Sequence, residues 1–281
     1  MATSTLNLQR IAQGRTAEIF AWDESRILKL YFQHFPPQVV SHEAHINRLL
    51  ASSRLPMPHL HEEVVVDGRH GLIFDRVEGP TCLHRLTKAP WQVATIIHDM
   101  VKLQQEINQR TAPPELPSLN EYLRKNIRRA PLLSETERKH ILLHLDQLPA
   151  GNTLCHFDFH PDQIIMTARG PMVIDWPNAV RGSPVADLAR TWIMLAMSAP
   201  PGTGPLARRM LSIAQLFVSR QYLARYLGNT AMGCGRDDFR AWLLPVMAAR
   251  LSEGIKEEQD ALLGHIRHLL RSKDFSAFLF Y

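Results

Sequence analysis

Two aspartates, Asp158 and Asp175, are the residues of this sequence best placed to do chemistry, because they flank a predicted hairpin. The hairpin is predicted from two apolar runs, residues 164–166 and 172–174, which the turn-forming sequence Arg-Gly-Pro separates. Asp158 precedes the first strand, and Asp175 follows the second. The sequence therefore predicts two carboxylates at one end of a small sheet, a geometry that suits metal-assisted chemistry on a phosphate group.

Asp158 also lies within the sequence H-x-D-x-H at 156–160, which has the spacing of metal ligands. A metallohydrolase is therefore an alternative interpretation. Such a site would need further His or Asp ligands at other strand ends, and the sequence places none there convincingly. A second pair, His140 and His144, is one turn apart on a predicted helix. We interpret that pair as surface histidines, which are far commoner than metal ligands in this arrangement.

The N-terminal residues 8–32 alternate in a way that predicts short strands with a turn at Gly14. A glycine turn between two strands can lay backbone N–H groups over phosphates, although a single glycine also fits an ordinary hairpin. Lys29 interrupts the otherwise apolar strand Ile-Leu-Lys-Leu-Tyr-Phe. Alternation alone leaves two interpretations of Lys29 open, a lysine facing solvent and a functional cation.

Residues 38–51 are predicted to form a helix after the Pro-Pro pair at 36–37. Val39, Ile46 and Leu50 share one apolar stripe at helical spacing, and Glu43 falls on the same stripe. An unpaired buried carboxylate would cost several kcal/mol, so Glu43 either reaches solvent at the edge of the stripe or has a cation as partner. Lys29 is the obvious cation, and the two residues together favour a functional pair.

The chain changes character after Glu78-Gly79-Pro80, from mainly strands to mainly helices. We therefore predict an N-terminal lobe of residues 1–78 and a C-terminal lobe of residues 79–281. If a nucleotide binds between the lobes, the segment of Phe74, Asp75 and Val77 is the connection whose backbone could contact its base. Helices are predicted at 91–108, 119–129, 135–148, 205–227, 237–254 and 257–271, and another begins after the capping pair Ser183-Pro184.

The bulk properties exclude several classes of protein. The formal net charge is +5 over 281 residues, and the basic residues are scattered, so no nucleic-acid partner is predicted. The three cysteines, Cys82, Cys155 and Cys234, are widely separated and odd in number, so we predict no disulfide framework. No leader-like or membrane-spanning apolar run is present, so we expect a cytoplasmic protein without a membrane partner. The aromatic segment 275–281 either docks on the body or marks a dimer contact, which leaves monomer and homodimer open.

The central motif resembles that of the aminoglycoside phosphotransferase family, which includes choline and homoserine kinases. The family signature H-x-D-x-x-x-x-N, then a hairpin and I-D-W, corresponds to residues 156–163 and 174–176. The resemblance covers nearly the whole chain. It implies an α+β, two-lobed protein kinase-like fold with a small, mainly β N-lobe and a larger, mainly helical C-lobe. It also implies ATP or GTP, with Mg²⁺, as cofactors, and a small-molecule hydroxyl compound as acceptor.

The resemblance also implies a role for each matching residue. Asp158 would act as the catalytic base, and Asp175 would hold Mg²⁺. Lys29, fixed by Glu43, would contact the α- and β-phosphates beneath the turn at 14–17. The resemblance further suggests that Asp187 braces the catalytic loop from the following helix.

Two residues depart from the family pattern. Gln163 replaces the asparagine that completes the metal site, and its extra methylene shifts the amide oxygen, which Mg²⁺ tolerates poorly. Phe157 stands where many relatives carry glycine. The alternative to an active kinase is therefore a catalytically impaired pseudokinase that binds nucleotide as a regulatory module. The acceptor stays open among aminoglycosides, amino alcohols and sugars, since the mixed charges of the C-terminal helices do not predict an acidic cleft for a polycation.

Overall fold

A computed structural model describes residues 8–198, 205–229 and 233–272 of the protein. The chain forms two compact units, one of residues 1–87 with 161–178 and one of residues 88–160 with 179–281. The predicted aromatic contact at 275–281 lies outside the described residues. The division into two lobes after residue 78, which the sequence predicts, stays a prediction.

The first unit is built on a five-stranded antiparallel sheet in the order β1-β2-β3-β5-β4. Two residues with positive φ, Asp67 at 50° and Gly68 at 73°, join the last two strands. This is the turn that an Asp-Gly pair favours, because its twist matches that of the strands. The strands are β1 (Arg10–Gln13), β2 (Ala17–Ala21), β3 (Arg26–Tyr31), β4 (Leu60–Val66) and β5 (Arg69–Asp75).

Strand β3 separates its side chains onto two faces of the sheet, as a period of two residues requires. Leu28 and Leu30 are fully buried in one apolar cluster. Tyr31 belongs to the cluster on the opposite face, together with Val40 and Ala44 of helix α1 (Pro37–Leu50). Lys29 has the same parity as Tyr31, so its side chain lies on the face that α1 covers.

Helix α1 begins one residue earlier than predicted, with Pro37 in its first turn, where a missing N–H costs nothing. Its buried stripe differs from the predicted one. Val39 is 36% exposed, whereas Val40 is 2% exposed. The assignment of Val39 to the stripe is therefore wrong, but Ile46, Leu50 and Glu43 do lie on the buried face.

The predicted central hairpin is present as β7 (Ile164–Thr167) and β8 (Gly170–Val173), and it belongs to the first unit. Its edges bond to the loops around β4 and β5, since Met166 N–H donates to the Pro80 carbonyl at 2.9 Å. Gly79 has a φ of 147°, and a Cβ there would lie 2.2 Å from the carbonyl oxygen of Met166. Only glycine allows the chain to pass so close to the hairpin.

The second unit is mainly helical. Its core helix α6 (Pro184–Met197) is capped by the Ser183 side chain, which accepts from the N–H of Val185 as the sequence predicts. Two short strands, β6 (Thr153–Cys155) and β9 (Val180–Gly182), pair antiparallel. The sequence did not predict β9. It also did not predict helix α2 (Cys82–Lys88), most of which belongs to the first unit. The other helices are α3 (Val93–Asn108), α4 (Leu119–Arg129), α5 (Glu135–Leu145), α7 (Pro205–Leu227), α8 (Arg236–Arg250) and α9 (Lys256–Ser272).

Among the residues that the structure describes, no helix combines the length and apolar character needed to cross a membrane.

Candidate active site

The ammonium group of Lys29 is the centre of the charged cluster in the first unit. It lies 2.9 and 2.8 Å from the two carboxylate oxygens of Glu43 and 2.8 Å from Oδ1 of Asp175. The Lys29 side chain is 12% exposed and that of Glu43 is 2% exposed. Lys29 is thus a buried cation shared by two carboxylates, and the predicted pair of Lys29 with Glu43 is present.

The electrostatics keep this lysine charged. Burial alone would lower the pKa of Lys29, but the carboxylates of Asp175 and Glu43 outweigh it and hold the pKa well above its ordinary value. Glu43 also accepts a hydrogen bond from the hydroxyl of Tyr31. Burial raises the pKa of Tyr31, so this hydroxyl stays a donor. The ammonium is therefore fixed and positive, which suits contact with phosphate oxygens.

Asp175 follows β8 after one residue and adopts a left-handed backbone conformation, with φ of 65°. Its Oδ2 accepts a hydrogen bond from the amide nitrogen of Gln163 at 3.0 Å. The Asp175 side chain is 33% exposed, so it remains accessible to a ligand. A carboxylate beside a carboxamide offers the oxygen donors that Mg²⁺ prefers, so these two residues fit the predicted metal ligands.

The turn at Gly14 is held by a hydrogen bond from its own N–H to the carbonyl of Ala17 at 2.9 Å. A Cβ at Gly14 would meet only that carbonyl, at 3.7 Å. The turn itself therefore does not require glycine. Close approach of a ligand to the backbone would be a separate reason for glycine here, and this role stays a prediction.

The predicted base-binding segment comes at the end of β5. Its Phe74 side chain is buried in the core of the first unit. The N–H groups of Asp75 and Arg76 already donate to the carbonyls of His59 and Ser25, at 3.0 and 2.7 Å. A base contact through a backbone N–H of this segment would therefore fall to Val77.

Asp158 lies in the second unit, three residues after β6. Its N–H donates to Nδ1 of the buried His156 at 3.2 Å, so that histidine stabilises the loop. The preceding Phe157 has a left-handed backbone, with φ of 58°. Glycine, which the resemblance leads us to expect at this position, would adopt this conformation without strain.

Asp187 holds the same loop from helix α6. Its side chain is fully buried, and its Oδ1 accepts from the N–H of Phe157 at 2.8 Å. The other oxygen accepts from Gln104 at 3.0 Å and from Asn108 at 2.9 Å. Three donors thus satisfy a buried carboxylate, as burial of a charge requires.

The sequence analysis missed Arg190, whose guanidinium lies beside Asp158. Its Nη2 is 3.5 Å from Oδ1 of Asp158, and its Nη1 is 2.6 Å from Oε1 of Glu253. A signal was available, because Arg190 stands inside the almost wholly apolar sequence of α6, where a cation needs a partner. The partners themselves come from distant segments and could not be read from spacing.

The alternative of a metallohydrolase gains no support. Across the described ranges, no three His, Cys, Asp or Glu side chains gather in a group able to hold a metal ion. His144 instead bonds the backbone carbonyl of Ala241 at 2.7 Å. Of the predicted site residues, the structure brings together Lys29, Glu43, Gln163 and Asp175; the approach of Asp158 to Asp175 stays a prediction.

Solved structures with the same fold include several small-molecule kinases. The aminoglycoside phosphotransferase APH(4)-Ia, a thermostable mutant in ternary complex with AMP-PNP and hygromycin B, matches at 15% identity and a TM-score of 0.64, over 95% of this chain and 93% of that one. Choline kinase from Cryptosporidium parvum matches at 13% identity and a TM-score of 0.58, over 98% and 93%. An aminoglycoside-3'-phosphotransferase of type VIII matches at 20% identity and a TM-score of 0.55, over 87% and 90%.

These likenesses confirm the predicted α+β protein kinase-like fold. A comparison with curated protein sequences found no significant match. The family model described as "Phosphotransferase enzyme family" matches residues 7–226, which is most of the chain. The family supports a small-molecule phosphotransferase and confirms the resemblance read from the central motif. This chain therefore belongs to the phosphotransferase enzyme family.

Proposed function

We propose that this protein transfers the γ-phosphate of ATP to a hydroxyl group of a small molecule. The observation that carries the proposal is the buried ammonium of Lys29, held by Glu43 and Asp175 at 2.8–2.9 Å. A lysine fixed by a helical glutamate and placed beside a metal-binding aspartate is the arrangement that kinases use for nucleotide phosphates. The complexes of structural neighbours with AMP-PNP and ADP also support ATP.

Each group of the site has a separate task in this reaction. Lys29 binds the α- and β-phosphates, and the turn at Gly14 covers them. Asp175 and Gln163 would hold Mg²⁺, which when bound neutralises phosphate charge. Asp158 accepts the proton of the acceptor hydroxyl while the oxygen of that hydroxyl forms a bond to the γ-phosphorus. The bond from the γ-phosphorus to the β-phosphate oxygen breaks, and ADP leaves with that electron pair.

The acceptor is a small hydroxyl compound, a proposal supported by the fold neighbours that are named as aminoglycoside phosphotransferases and choline kinase. The test is ADP release from Mg-ATP by the purified protein with a panel of amino alcohols, sugars and aminoglycosides. We expect one class to stimulate turnover, and Asp158→Asn to lower kcat by about 100-fold or more with ATP binding retained. Asp237→Asn, a 95% exposed aspartate on α8, is the matched control.

The result that contradicts the proposal is ATP binding, measured by thermal shift, without turnover on any acceptor. Recovery of turnover in Gln163→Asn would then identify an impaired kinase. Binding of ATP without dependence on Mg²⁺, and without turnover in either protein, would favour a regulatory nucleotide-binding module.

A further inference from the structure

Helix α6 carries one basic residue within its buried segment, and that residue is Arg190. Every residue of α6 from 185 to 195 is buried, and the Arg190 side chain is only 3% exposed. A guanidinium in such a place is costly unless acidic groups compensate for the lost water. Its two acidic partners are Asp158 and Glu253, whose side chains are 21% and 30% exposed. A buried cation thus supports two carboxylates that reach solvent.

The two contacts of Arg190 are unequal. The Glu253 contact is short, at 2.6 Å, whereas the Asp158 contact is 3.5 Å. Glu253 is fixed in turn by Arg250, at 3.3 Å, and Arg250 is paired with Glu258 at 2.7 Å. The Glu253 side is therefore an anchor built into a charged network. From that anchor, Arg190 reaches the carboxylate of Asp158.

Arg190 also contacts the residue that precedes Asp158. Its guanidinium lies over the ring of Phe157 at 5.6 Å, within the range of a cation–π contact. The ring of Phe157 meets the ring of Tyr122 edge to face at 5.3 Å. Because Phe157 has a left-handed backbone, its conformation depends on such contacts. Helix α6 thus holds this loop by Asp187 at the backbone and by Arg190 at two side chains.

The charge of Arg190 is permanent. Burial would lower the pKa of Arg190, but the carboxylates of Glu253 and Asp158 more than offset this and raise the pKa above its ordinary value. One guanidinium nitrogen, Nε, is buried and has no hydrogen-bond partner among the described residues. The two terminal nitrogens of Arg190 face Asp158 and Glu253.

We propose that Arg190 is a positioning residue for Asp158, with Glu253 as its anchor. Oδ1 of Asp158 faces Arg190, so Oδ2 is left to receive the proton of the acceptor hydroxyl. This role rests on the proposed function, in which Asp158 is the base. Misplacement of a reacting group by about 1 Å can lower a rate by about 100-fold, so a fixed carboxylate matters for the rate rather than for nucleotide binding.

The test compares Arg190→Met, Arg190→Lys and Glu253→Gln with the control Arg138→Met. Arg138 is 22% exposed and paired with Glu135 on α5. ADP release from Mg-ATP is measured, with the stimulating alcohol of the panel or with water as acceptor. We expect Arg190→Met to lower kcat by about 100-fold with the KM for ATP within about twofold, Arg190→Lys to recover about tenfold, and Arg138→Met to match wild type.

A second measurement does not depend on turnover. Hydrogen exchange of the peptide spanning residues 153–163 should become about tenfold faster in Arg190→Met, with the other helices of the second unit unchanged. If the wild-type protein turns over no acceptor, the proposed function fails. Hydrogen exchange of the peptide 153–163 then decides by itself whether Arg190 holds the loop of Asp158. Unchanged exchange in that peptide overturns the role, as does an unchanged kcat in an active enzyme.

Glu253→Gln retains the Arg190 side chain but removes its anchor, so it tests the same role if Arg190→Met fails to fold. We expect it to lower kcat by about tenfold and to lose less stability than Arg190→Met. It should add little to the effect of Arg190→Met in the double variant. Fully additive effects in the double variant, or a wild-type kcat in Glu253→Gln, would overturn the role of Glu253 as anchor.

Discussion

The ammonium of Lys29 contacts the carboxylate of Asp175 at 2.8 Å, although 146 positions separate the two residues in the sequence. The same ammonium contacts Glu43 of helix α1. One cation therefore links strand β3, helix α1 and the loop that follows β8. Because Lys29 is the common partner of both carboxylates, its removal has consequences for stability and for ligand binding that can be measured separately.

Replacement of Lys29 by methionine should destabilise the fold. The variant leaves the 2% exposed carboxylate of Glu43 without its cation, and breaking a buried pair in this way costs about 3–5 kcal/mol. We expect a loss of about 2–4 kcal/mol in the free energy of unfolding, since Tyr31 still donates to Glu43. Denaturant titration measures it. The control Arg48→Met, which removes a surface pair with Glu63, should change stability by less than about 1 kcal/mol.

The contribution of Lys29 to stability should be constant near neutral pH and decrease at high pH. Burial acts to lower the pKa of Lys29, but Asp175 and Glu43 raise it well above the ordinary value of 10.5. A raised pKa in the folded state gives stability that is fully present below the unfolded-state pKa and lost as pH rises through the folded-state pKa. The stability difference between wild type and Lys29→Met should thus hold from about pH 7 to about pH 10 and shrink above it. A difference that falls between neutral pH and pH 9 would contradict this assignment.

The site in the first unit could be predicted because its charges interrupt regular apolar patterns. Lys29 breaks the alternation of an apolar strand, and Glu43 breaks a helical stripe. Each therefore needed a partner, and the nearest candidates proved to be each other. The error at Val39 has a simple origin, since adjacent valines differ by only one helical position and Val40 is the one that packs on the sheet.

The surroundings of Asp158 were harder to predict. The same argument about a charge in an apolar segment applies to Arg190, but its partners come from a loop and from the turn after α8. No sequence spacing relates those segments to α6. The left-handed conformation of Phe157 was also hidden, because nothing in local propensity favours a positive φ for a bulky aromatic residue. The packing around its ring and the bond from its N–H to Asp187 account for it.

Loss of the Gln163 side chain should weaken Mg²⁺ binding, so that activity requires a higher Mg²⁺ concentration. Gln163 donates to Oδ2 of Asp175 at 3.0 Å, and groups that orient or supplement a metal ligand are typically worth about 10–100-fold in affinity. We expect Gln163→Ala to raise the Mg²⁺ concentration for half-maximal ADP release by about tenfold or more, and Gln163→Asn, which keeps the carboxamide, to need no more Mg²⁺ than wild type. The exposed Gln147→Ala is the control, and an unchanged Mg²⁺ dependence in Gln163→Ala would exclude a metal role.

Replacement of Phe157 by glycine should destabilise the protein despite relieving the backbone. Glycine removes the cost of a positive φ, about 1–2 kcal/mol, but it also removes a buried ring that contributes about 3–5 kcal/mol. We expect a net loss of about 2 kcal/mol in denaturant titrations. Phe159→Gly, at an equally buried ring without positive φ, should lose about 1–2 kcal/mol more. A Phe157→Gly variant more stable than wild type would show that the ring contacts contribute little.

Replacement of Asp187 by asparagine tests how α6 holds the loop that carries Phe157 and Asp158. The carboxylate of Asp187 accepts from the N–H of Phe157 and from the amides of Gln104 and Asn108. Asparagine has one acceptor oxygen, and its NH₂ group would face a donor on the other side, so a buried donor loses its partner. Because hydrogen bonds to charged groups contribute about 1.5–3 kcal/mol each, we expect a loss of about 2–4 kcal/mol in denaturant titration. Asp237→Asn, at an exposed helix end, should change stability by less than about 1 kcal/mol, since its partner Arg240 is only three residues away. If Asp187→Asn were as stable as Asp237→Asn, the three bonds would be replaceable by water, and the loop would have to be held by Arg190 and the Phe157 ring instead.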